Sequence, residues 1–361
     1  MILVIGSILA LVLLVDLWLW INFPKSWSTP TLENAPKISV LVAVRNEAHN
    51  VPAMIQNLAQ LDYPSNRMSI LIGDDDSTDD TWQQLEQFTQ DDTRFKLVRI
   101  DQSGALLGKA RVIEQLIRIS DTPYYLITDA DVRVPSSWAR GMTAFGQAGY
   151  GVWGGCTTVY GNGIWSSLQN LDWLLAQGML TSAAQSYQTL AVSGTNMALS
   201  QQACQAIGGY KSIPYALTED IGFLTAARAS GCKAGLLYTK EVCARIPPQK
   251  NWATLLKQRA RWTYGATKLP WPVIAMLSLR AFYLMAVIIM VWFNPVLAAA
   301  AYLLRQLVQW GIIKALAQRL NQSINLSAML LFELYYSLVT LGGLILYLLP
   351  ISISWKGRKH L

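Results

Sequence analysis

Three acidic groups in this chain have the residue types to hold a cation or to accept a proton. They are Asp74-Asp75, Asp129-x-Asp131 and Glu219-Asp220. Each group alone is weak evidence for a functional site, because an isolated Asp-x-Asp more often belongs to a solvated turn than to a metal site. Carboxylate oxygens are, however, the ligands that Mg²⁺ uses when it also binds phosphates. The chemistry indicated is therefore the handling of a phosphorylated ligand, provided that the fold brings these groups together.

The segments before these acids predict that the fold does so. Apolar, β-branched runs alternate with helical segments, which is typical of a parallel α/β sheet covered by helices. The first four strands are expected at residues 38–44, 69–73, 95–100 and 124–128. Because open sheets of this class bind ligands at the carboxyl ends of their strands, Asp74-Asp75 and Asp129-x-Asp131 should meet at one edge. No Gly-x-Gly-x-x-Gly follows the first strand, which argues against a dinucleotide site.

The helices between these strands are expected at residues 48–61, after residue 78 and at 108–119. Ser77 or Thr78 should cap the second of them, with Asp79 and Asp80 in its first turn, where the helix dipole favours negative charge. The pattern after residue 130 is less regular. It predicts helices at 164–187 and up to Ser230, and strand segments at 150–160, 190–199 and 233–238.

Residues 250–268 form a separate amphipathic segment. Its apolar and aromatic residues recur at helical spacing, so we expect a helix lying flat in a membrane interface. Gln258 shares one face of this helix with Arg261 and Trp262. Between Lys240 and Lys268 there are seven Lys or Arg against one acid, a balance that favours an anionic membrane surface. No nucleic-acid motif accompanies these charges, and no nucleic-acid partner is expected.

Hydrophobic residues make up 52% of the 361 residues and charged residues only 14%, which is too apolar for an ordinary soluble domain. The excess lies in residues 1–23, long enough to span a bilayer, and in 270–351, where three apolar blocks leave two, three or four spans open. The first positive charge follows residue 23, so the next domain should be cytosolic, as should the basic tail 352–361. This predicts a multi-pass protein of the cell inner or plasma membrane.

The four cysteines are Cys156, Cys204, Cys232 and Cys243. They show no Cys-x-x-Cys spacing, and both histidines are distant in sequence. We expect reduced, mostly buried thiols and no zinc site. Asp16, inside the first apolar run, is costly in lipid and should face another helix.

Several motifs, in order along residues 38–265, give the chain a recognisable resemblance. They are Val44-Arg45-Asn46-Glu47, Asp74-Asp75-Asp76-Ser77-Thr78-Asp79, Gly108-Lys109-Ala110, Asp129-Ala130-Asp131, Gly194-Thr195-Asn196, Thr218-Glu219-Asp220 and Gln258-Arg259-Ala260-Arg261-Trp262. With them the chain resembles the membrane-bound family 2 glycosyltransferases, the inverting group that includes cellulose and hyaluronan synthases and ceramide glucosyltransferases. Asp76 departs from the family, which more often has glycine there.

The resemblance implies a cytosolic catalytic domain of the glycosyltransferase A type at residues 38–249. A linker at 24–37 and the segment 250–268 would join it to the membrane parts. It further implies a Mg²⁺ or Mn²⁺ on Asp131 and Asp129, and Asp220 as the base. The nucleotide-diphosphate side would comprise Arg45, Glu47, Asp74, Asp75, Lys109, Asp129, Gln258, Arg259 and Arg261.

On the acceptor side the expected residues are Trp262 and Glu219, where Glu219 either orients Asp220 or has no chemical role. The donor would be a nucleotide sugar, a UDP-sugar by preference. The preferred acceptor is a membrane lipid or lipid-linked sugar, because so few spans offer little wall for a polysaccharide channel. A processive polysaccharide synthase is the alternative. A catalytically silent membrane scaffold is the alternative from another class, and Asp131, Asp220 and Arg261 argue against it.

Overall fold

A computed structural model describes residues 2–24, 30–187, 189–213, 219–267, 269–349, 354–355 and 358–359. The strands, in chain order, are β1 (Ile38–Val44), β2 (Met68–Asp74), β3 (Phe95–Arg99), β4 (Tyr124–Asp129), β5 (Val152–Gly155), β6 (Thr157–Val159), β7 (Asn196–Ser200), β8 (Ala234–Leu237), β9 (Ala244–Ile246), β10 (Ser354–Trp355) and β11 (Arg358–Lys359).

The helices are α1 (Ile2–Asn22), α2 (Val51–Ala59), α3 (Thr81–Thr89), α4 (Gly108–Arg118), α5 (Trp138–Gln147), α6 (Ile164–Tyr187), α7 (Gln201–Ile207), α8 (Glu219–Ala229), α9 (Trp252–Ala266), α10 (Trp271–Ala281), α11 (Tyr283–Val291), α12 (Pro295–Arg319) and α13 (Leu326–Leu348). Short 3-10 helices occur at Ser65–Arg67, Tyr210–Ser212 and Lys240–Val242.

The chain divides into two compact units. The sheet unit comprises residues 26–158 and 191–247, and the helical unit comprises 1–25, 159–190 and 248–361. The division places α6 with the terminal helices, a grouping that nothing in its sequence indicated. The predicted tail 352–361 lies outside the described residues except for the β10–β11 pair.

The sheet unit contains a seven-stranded sheet in the order β3-β2-β1-β4-β7-β5-β8. β1 to β4 pair in parallel, while β7 runs antiparallel to β4 and β5. β1, β2 and β4 are apolar runs whose central residues are almost fully buried, because helices cover both faces. β3 lies at the edge of the sheet and is only partly buried. The predicted α/β class and the mostly parallel sheet are confirmed.

Local expectations failed at three places. α3 begins at Thr81, so Asp79 and Asp80 precede the helix, and neither Ser77 nor Thr78 caps it. The strand expected at 190–199 is only β7, because residues 190–195 form a loop that carries Gly194. β9 follows the strand predicted to be the last. Thr218 lies outside the described residues.

The thiols agree with the expectation of reduced, mostly buried cysteines. All four are free, and Cys156, Cys204 and Cys243 are buried. Burial raises the pKa of Cys204 to about 12, so this thiol stays protonated at neutral pH.

The helical unit contains the apolar helices. α1, α12 and α13 are each long and apolar enough to cross a membrane. α10 and α11 pass the same test together, but a 43° bend separates them, which is the geometry of a broken span or a re-entrant segment. Asp16 is fully buried and contacts helices other than its own, as expected.

Candidate active site

The acids of the sheet unit converge at the carboxyl ends of neighbouring strands. β1 lies between β2 and β4, with Val44 opposite Asp74 and Ala43 opposite Asp129. We call the strand ends and following loops that carry Asp74, Asp75, Asp129 and Asp131 the carboxyl edge. The position expected for Asp74 and Asp129 is therefore confirmed.

α4 approaches this edge closely. Gly73 precedes Asp74, and a Cβ at this position would lie 2.5 Å from Cγ1 of Val112 on α4. Only glycine leaves room for that contact. The approach brings the first turn of α4, with Lys109 and Arg111, to the carboxyl edge.

Lys109 joins the predicted metal-binding acid to the loop before β7. Its Nζ makes an ion pair with Oδ1 of Asp129 and donates a hydrogen bond to the carbonyl of Gly194 (2.7 Å). The amide of Gly194 donates to Oδ2 of Asp220 (2.9 Å), and Oδ1 of Asp220 accepts from the amide of Ile221 (2.8 Å). One lysine and one glycine thus connect Asp129 to the predicted base.

This arrangement leaves Asp220 able to react. A carboxylate offers about four lone-pair sites, and two backbone N–H groups use two of them. These bonds fix the carboxylate at the start of α8 and leave acceptor capacity for a proton. Asp220 is only partly buried, so a ligand can reach it.

Asp75 lies beside Arg45 and Arg111, which we call the cationic cluster of the carboxyl edge. Its Oδ1 accepts from Arg111 (2.6 Å) and Gln102 (3.2 Å), while Arg45 donates to its backbone carbonyl (2.9 Å). The guanidinium of Arg45 is also 3.8 Å from Oδ2. Two arginines therefore lie beside one carboxylate, and guanidinium groups are the side chains that bind phosphate oxygens in bidentate fashion.

Asp74 has a turn-forming contact. It is buried, and its Oδ1 accepts hydrogen bonds from the hydroxyl and the amide of Ser77. The turn passes through Asp76 at φ +62°, a left-handed conformation that glycine adopts most easily. This conformation is consistent with the glycine that is more frequent at this position in the family that the chain resembles. With Asp76 in the turn, Asp74 still ends β2 and Asp75 follows it.

The loop after β1 is tied to the same turn. Asn46, at φ +52°, accepts a hydrogen bond from the amide of Thr78 (2.8 Å). Glu47 is buried, its carboxylate accepts from Asn50 (2.7 Å), and its amide donates to Thr81 (2.8 Å). These are structural contacts for a residue predicted to lie on the nucleotide side.

Asp79 also stabilises this turn. It accepts from the hydroxyl (2.5 Å) and the amide (3.1 Å) of Thr81, and from the amide of Ala48 (3.3 Å). Partial burial raises the pKa of Asp79, but the hydrogen bonds from Thr81 outweigh this and hold the pKa below its ordinary value. Asp79 therefore joins the loop after β1 to Thr81, the first residue of α3.

The remaining predicted acids are Asp131 and Glu219. Asp131 is half-buried and follows Asp129 at the end of β4. Glu219 begins α8, and its side chain lies outside what the structure describes. Across the described residues, no group of three or more His, Cys, Asp or Glu side chains is placed to hold a metal ion. An ion at Asp129 and Asp131 would take its further oxygen ligands from water and substrate phosphates.

The motif 258–262 lies on α9, in the helical unit. An Asn251–Thr254 capping box starts this helix. Arg259 is buried and makes an ion pair with Asp172 of α6, and its guanidinium lies 4.0 Å from the centre of the Trp262 ring. Trp262 packs edge to face on Trp173, with ring centres 4.8 Å apart. Arg259 therefore has a buried protein partner.

Sequence reasoning missed Arg111, Gln102, Asp172 and Trp173. A signal existed for Arg111, because it follows Lys109 by two residues in the first turn of a helix at the carboxyl edge. Asp172 had none, since its partner is 87 residues away. Asn196, part of the Gly194-Thr195-Asn196 motif, has structural contacts: its side chain accepts from Trp138 (2.8 Å) and donates to the carbonyls of Cys156 and Val242.

Comparisons with known proteins agree with this fold. The chain is 25% identical over 237 residues to beta-monoglucosyldiacylglycerol synthase of Synechocystis sp., an alignment that covers 64% of this chain and 48% of that protein. It is 25% identical over 263 residues to glycosyltransferase AglE of Haloferax volcanii, covering 72% and 82%. The chain spans about half the length, or less, of the first curated relatives that it matches.

A solved structure shares the fold. The mannosyltransferase PcManGT from Pyrobaculum calidifontis, in complex with GDP-Man and Mn²⁺, superposes with a TM-score of 0.62 at 17% identity, covering 96% of this chain and 99% of that one. The glycosyltransferase A architecture is confirmed. A family model matches residues 1–361 in full, and the chain belongs to glycosyl transferase family 21.

Proposed function

We propose that this protein transfers a sugar, with inversion, from a nucleoside diphosphate sugar to a membrane lipid or lipid-linked sugar. The observation that carries the proposal is the connection from Asp129 through Lys109 and Gly194 to Asp220. It sets a diphosphate-side acid and an acceptor-side base in one hydrogen-bonded group. Such a group suits a reaction in which one side releases a diphosphate and the other loses a proton.

The cationic cluster of the carboxyl edge holds the donor in this proposal. Arg45 and Arg111 flank Asp75, which accepts a hydrogen bond from the nucleobase, with uracil preferred. Lys109 balances the charge of Asp129 before the donor binds and lies toward the diphosphate afterwards. On α9, Gln258 and Arg261 supply fixed donors to the leaving group.

The donor set fits a divalent ion. Asp129 and Asp131 are hard oxygen ligands, and Mg²⁺ is commonly bound by one or two carboxylates together with substrate phosphates. A bound Mg²⁺ or Mn²⁺ would neutralise charge that develops on the departing diphosphate. The Mn²⁺ bound to the mannosyltransferase of the same fold supports this assignment.

Asp220 accepts the proton of the acceptor hydroxyl. The hydroxyl oxygen then attacks the anomeric carbon from the face opposite the diphosphate, so a single displacement inverts that centre. Glu219 orients Asp220, and Trp262 contacts the acceptor. The relatives named for monoglucosyldiacylglycerol synthesis support a glycerolipid acceptor and a glucosyl donor.

The apolar helices support a multi-pass membrane protein with the sheet unit in the cytosol. α1, α12 and α13 would cross the bilayer, and the bent α10–α11 pair would enter and leave on one side. This arrangement places the amino terminus outside and the basic residues 352–361 inside. It thereby satisfies the positive-inside rule at both ends.

The test is a donor screen with the purified full chain in vesicles that contain diacylglycerol. UDP-glucose, UDP-galactose, UDP-N-acetylglucosamine and GDP-mannose are supplied in turn, and the lipid product is identified by mass spectrometry. We expect one nucleotide sugar to give a singly glycosylated lipid, and a chelator to abolish its formation. A ladder of long polymers would contradict single transfer, and full activity with chelator would contradict the metal.

A further inference from the structure

Two consecutive residues of α6 hold two residues of the α9 motif. Asp172 makes an ion pair with Arg259, and both side chains are 9% exposed. Trp173 packs edge to face on Trp262. A buried arginine needs a counter-charge in place, because an unpaired buried charge is strongly unfavourable. Arg259 is thus fixed within the protein.

α13 holds the same helix from another direction. A Cβ at Gly343 would lie 2.6 Å from Cβ of Arg259 and 3.3 Å from its carbonyl carbon. A Cβ at Gly342 would lie 2.7 Å from Cδ2 of Leu256. These two glycines let the backbones of α9 and α13 approach closely, so α9 has little freedom to turn about its axis at Arg259.

Gln258 differs from Arg259 in its contacts. Its Oε1 is buried and, among the described residues, has no hydrogen-bond partner. A buried amide oxygen without a partner is costly unless water or a ligand satisfies it. Adjacent residues of the motif are therefore used differently, one as a fixed internal contact and one with an unsatisfied polar atom.

We propose that Asp172 is a positioning residue that sets the rotation of α9 through Arg259, and so the direction in which Gln258 and Arg261 are presented. The effect on catalysis rests on the proposed glycosyl transfer. The positioning itself does not, since it concerns contacts inside the helical unit.

The experiment compares Asp172→Asn with the wild-type full chain. Asp62→Asn is the matched control, since it makes the same change in the exposed Asp62–Arg140 ion pair. Hydrogen exchange of the amides in residues 252–266 reports how firmly α9 is held in place, without any substrate. We expect this exchange to rise at least about tenfold in Asp172→Asn only. The kcat for transfer should fall about 100-fold, with the donor KM nearly unchanged.

A second variant separates positioning from the cost of an unpaired charge. In Asp172→Asn with Arg259→Gln no unpaired charge remains, so the melting temperature should recover toward that of the wild type. If Asp172 positions α9, kcat stays low in this variant while the donor KM stays near that of the wild type, whereas loss of a direct contact between Arg259 and the diphosphate would raise the donor KM. Wild-type exchange in Asp172→Asn, or full recovery of kcat in the double variant, would overturn the proposal. A wild-type chain that transfers no sugar would overturn the proposed function, while the exchange result would still decide the positioning.

Discussion

Ion pairs occur in two regions of the molecule that differ in their exposure to solvent. At the carboxyl edge, Lys109 and Asp129 pair with 21% and 28% of their side chains exposed. In the helical unit, four charged side chains from four helices form the buried quartet: Asp16, Arg280, Arg305 and Glu333. Each member of the buried quartet is at most 1% exposed. The comparison indicates that solvent access, rather than pairing, distinguishes the proposed ligand site from a structural contact.

The physical reason is the cost of an unpaired charge. At a partly exposed site, water or a ligand can replace a lost partner, so the pair can open during a reaction. Inside a bundle of apolar helices nothing replaces the partner, and the remaining charge is very costly. The edge pairs should therefore affect activity, and the quartet should affect stability.

The largest expected effect comes from breaking the quartet. Glu333→Leu leaves Arg305 with one partner fewer in an apolar interior and should cost about 3–5 kcal/mol of stability. Thermal unfolding of the purified chain in detergent measures this. A separate double variant, Asp16→Leu with Arg280→Leu, removes one charge of each sign and leaves Arg305 paired with Glu333. It should therefore lose less stability than Glu333→Leu. Equal loss in both variants would show that packing, and not charge, dominates the quartet.

Arg111 provides an intermediate case, since its side chain and that of Asp75 are each only 5% exposed. Arg111→Leu should cost about 1–3 kcal/mol, because the carboxylate loses a charged donor but keeps Gln102 and the nearby Arg45. It should also weaken UDP binding, measured by calorimetry with Mn²⁺ present. Unchanged UDP affinity would remove Arg111 from the donor site.

Substitution of Lys109 should affect transfer much more than stability. Lys109→Met should change stability by no more than about 1 kcal/mol, since Asp129 regains water. Transfer should fall about 100-fold, because a fixed positive charge near the diphosphate is lost. The two assays are run on the same preparation. A large stability loss with normal transfer would place this pair with the quartet.

The smallest effect concerns pH. Because the folded-state pKa of Asp79 is lowered, this carboxylate contributes stability that is present above its ordinary value of 3.8 and is lost as pH falls through the folded-state pKa. Asp79→Asn should therefore reduce stability slightly at neutral pH and flatten its decline below about pH 4. Melting temperatures across that pH range measure this. A parallel, unflattened decline would show that Asp79 does not contribute.

Much of the sheet could be predicted because it depends on local patterns. β1 was predicted at its observed bounds, and β2 and β4 within one residue, since each is a buried apolar run. β3 was also predicted within one residue, although it is only partly buried. The bend at Phe282, between α10 and α11, had no such signal, because neither proline nor glycine occurs there. The antiparallel β7 was predicted too long, since Leu190 and Val192 continue the apolar run outside the strand.

The candidate site was predictable in its acids and not in their partners. Asp74 and Asp129 follow strands whose order implies one edge, so their meeting could be predicted. The partners that set their behaviour, Arg111 for Asp75 and Gly194 for Asp220, depend on loop paths that leave no local pattern. Asp16 was expected to face another helix, but its two arginine partners lie more than 260 residues away in sequence.

The central claim is that the carboxyl edge binds the sugar donor and that Asp220, at the start of α8, is the catalytic base. The most direct measurement is the rate of lipid glycosylation by Asp220→Asn beside wild type, with UDP affinity and melting temperature determined on the same samples. We predict unchanged UDP affinity and melting temperature, with transfer reduced by about 10²–10⁴-fold. Transfer at the wild-type rate in a folded, UDP-binding Asp220→Asn protein would contradict the account.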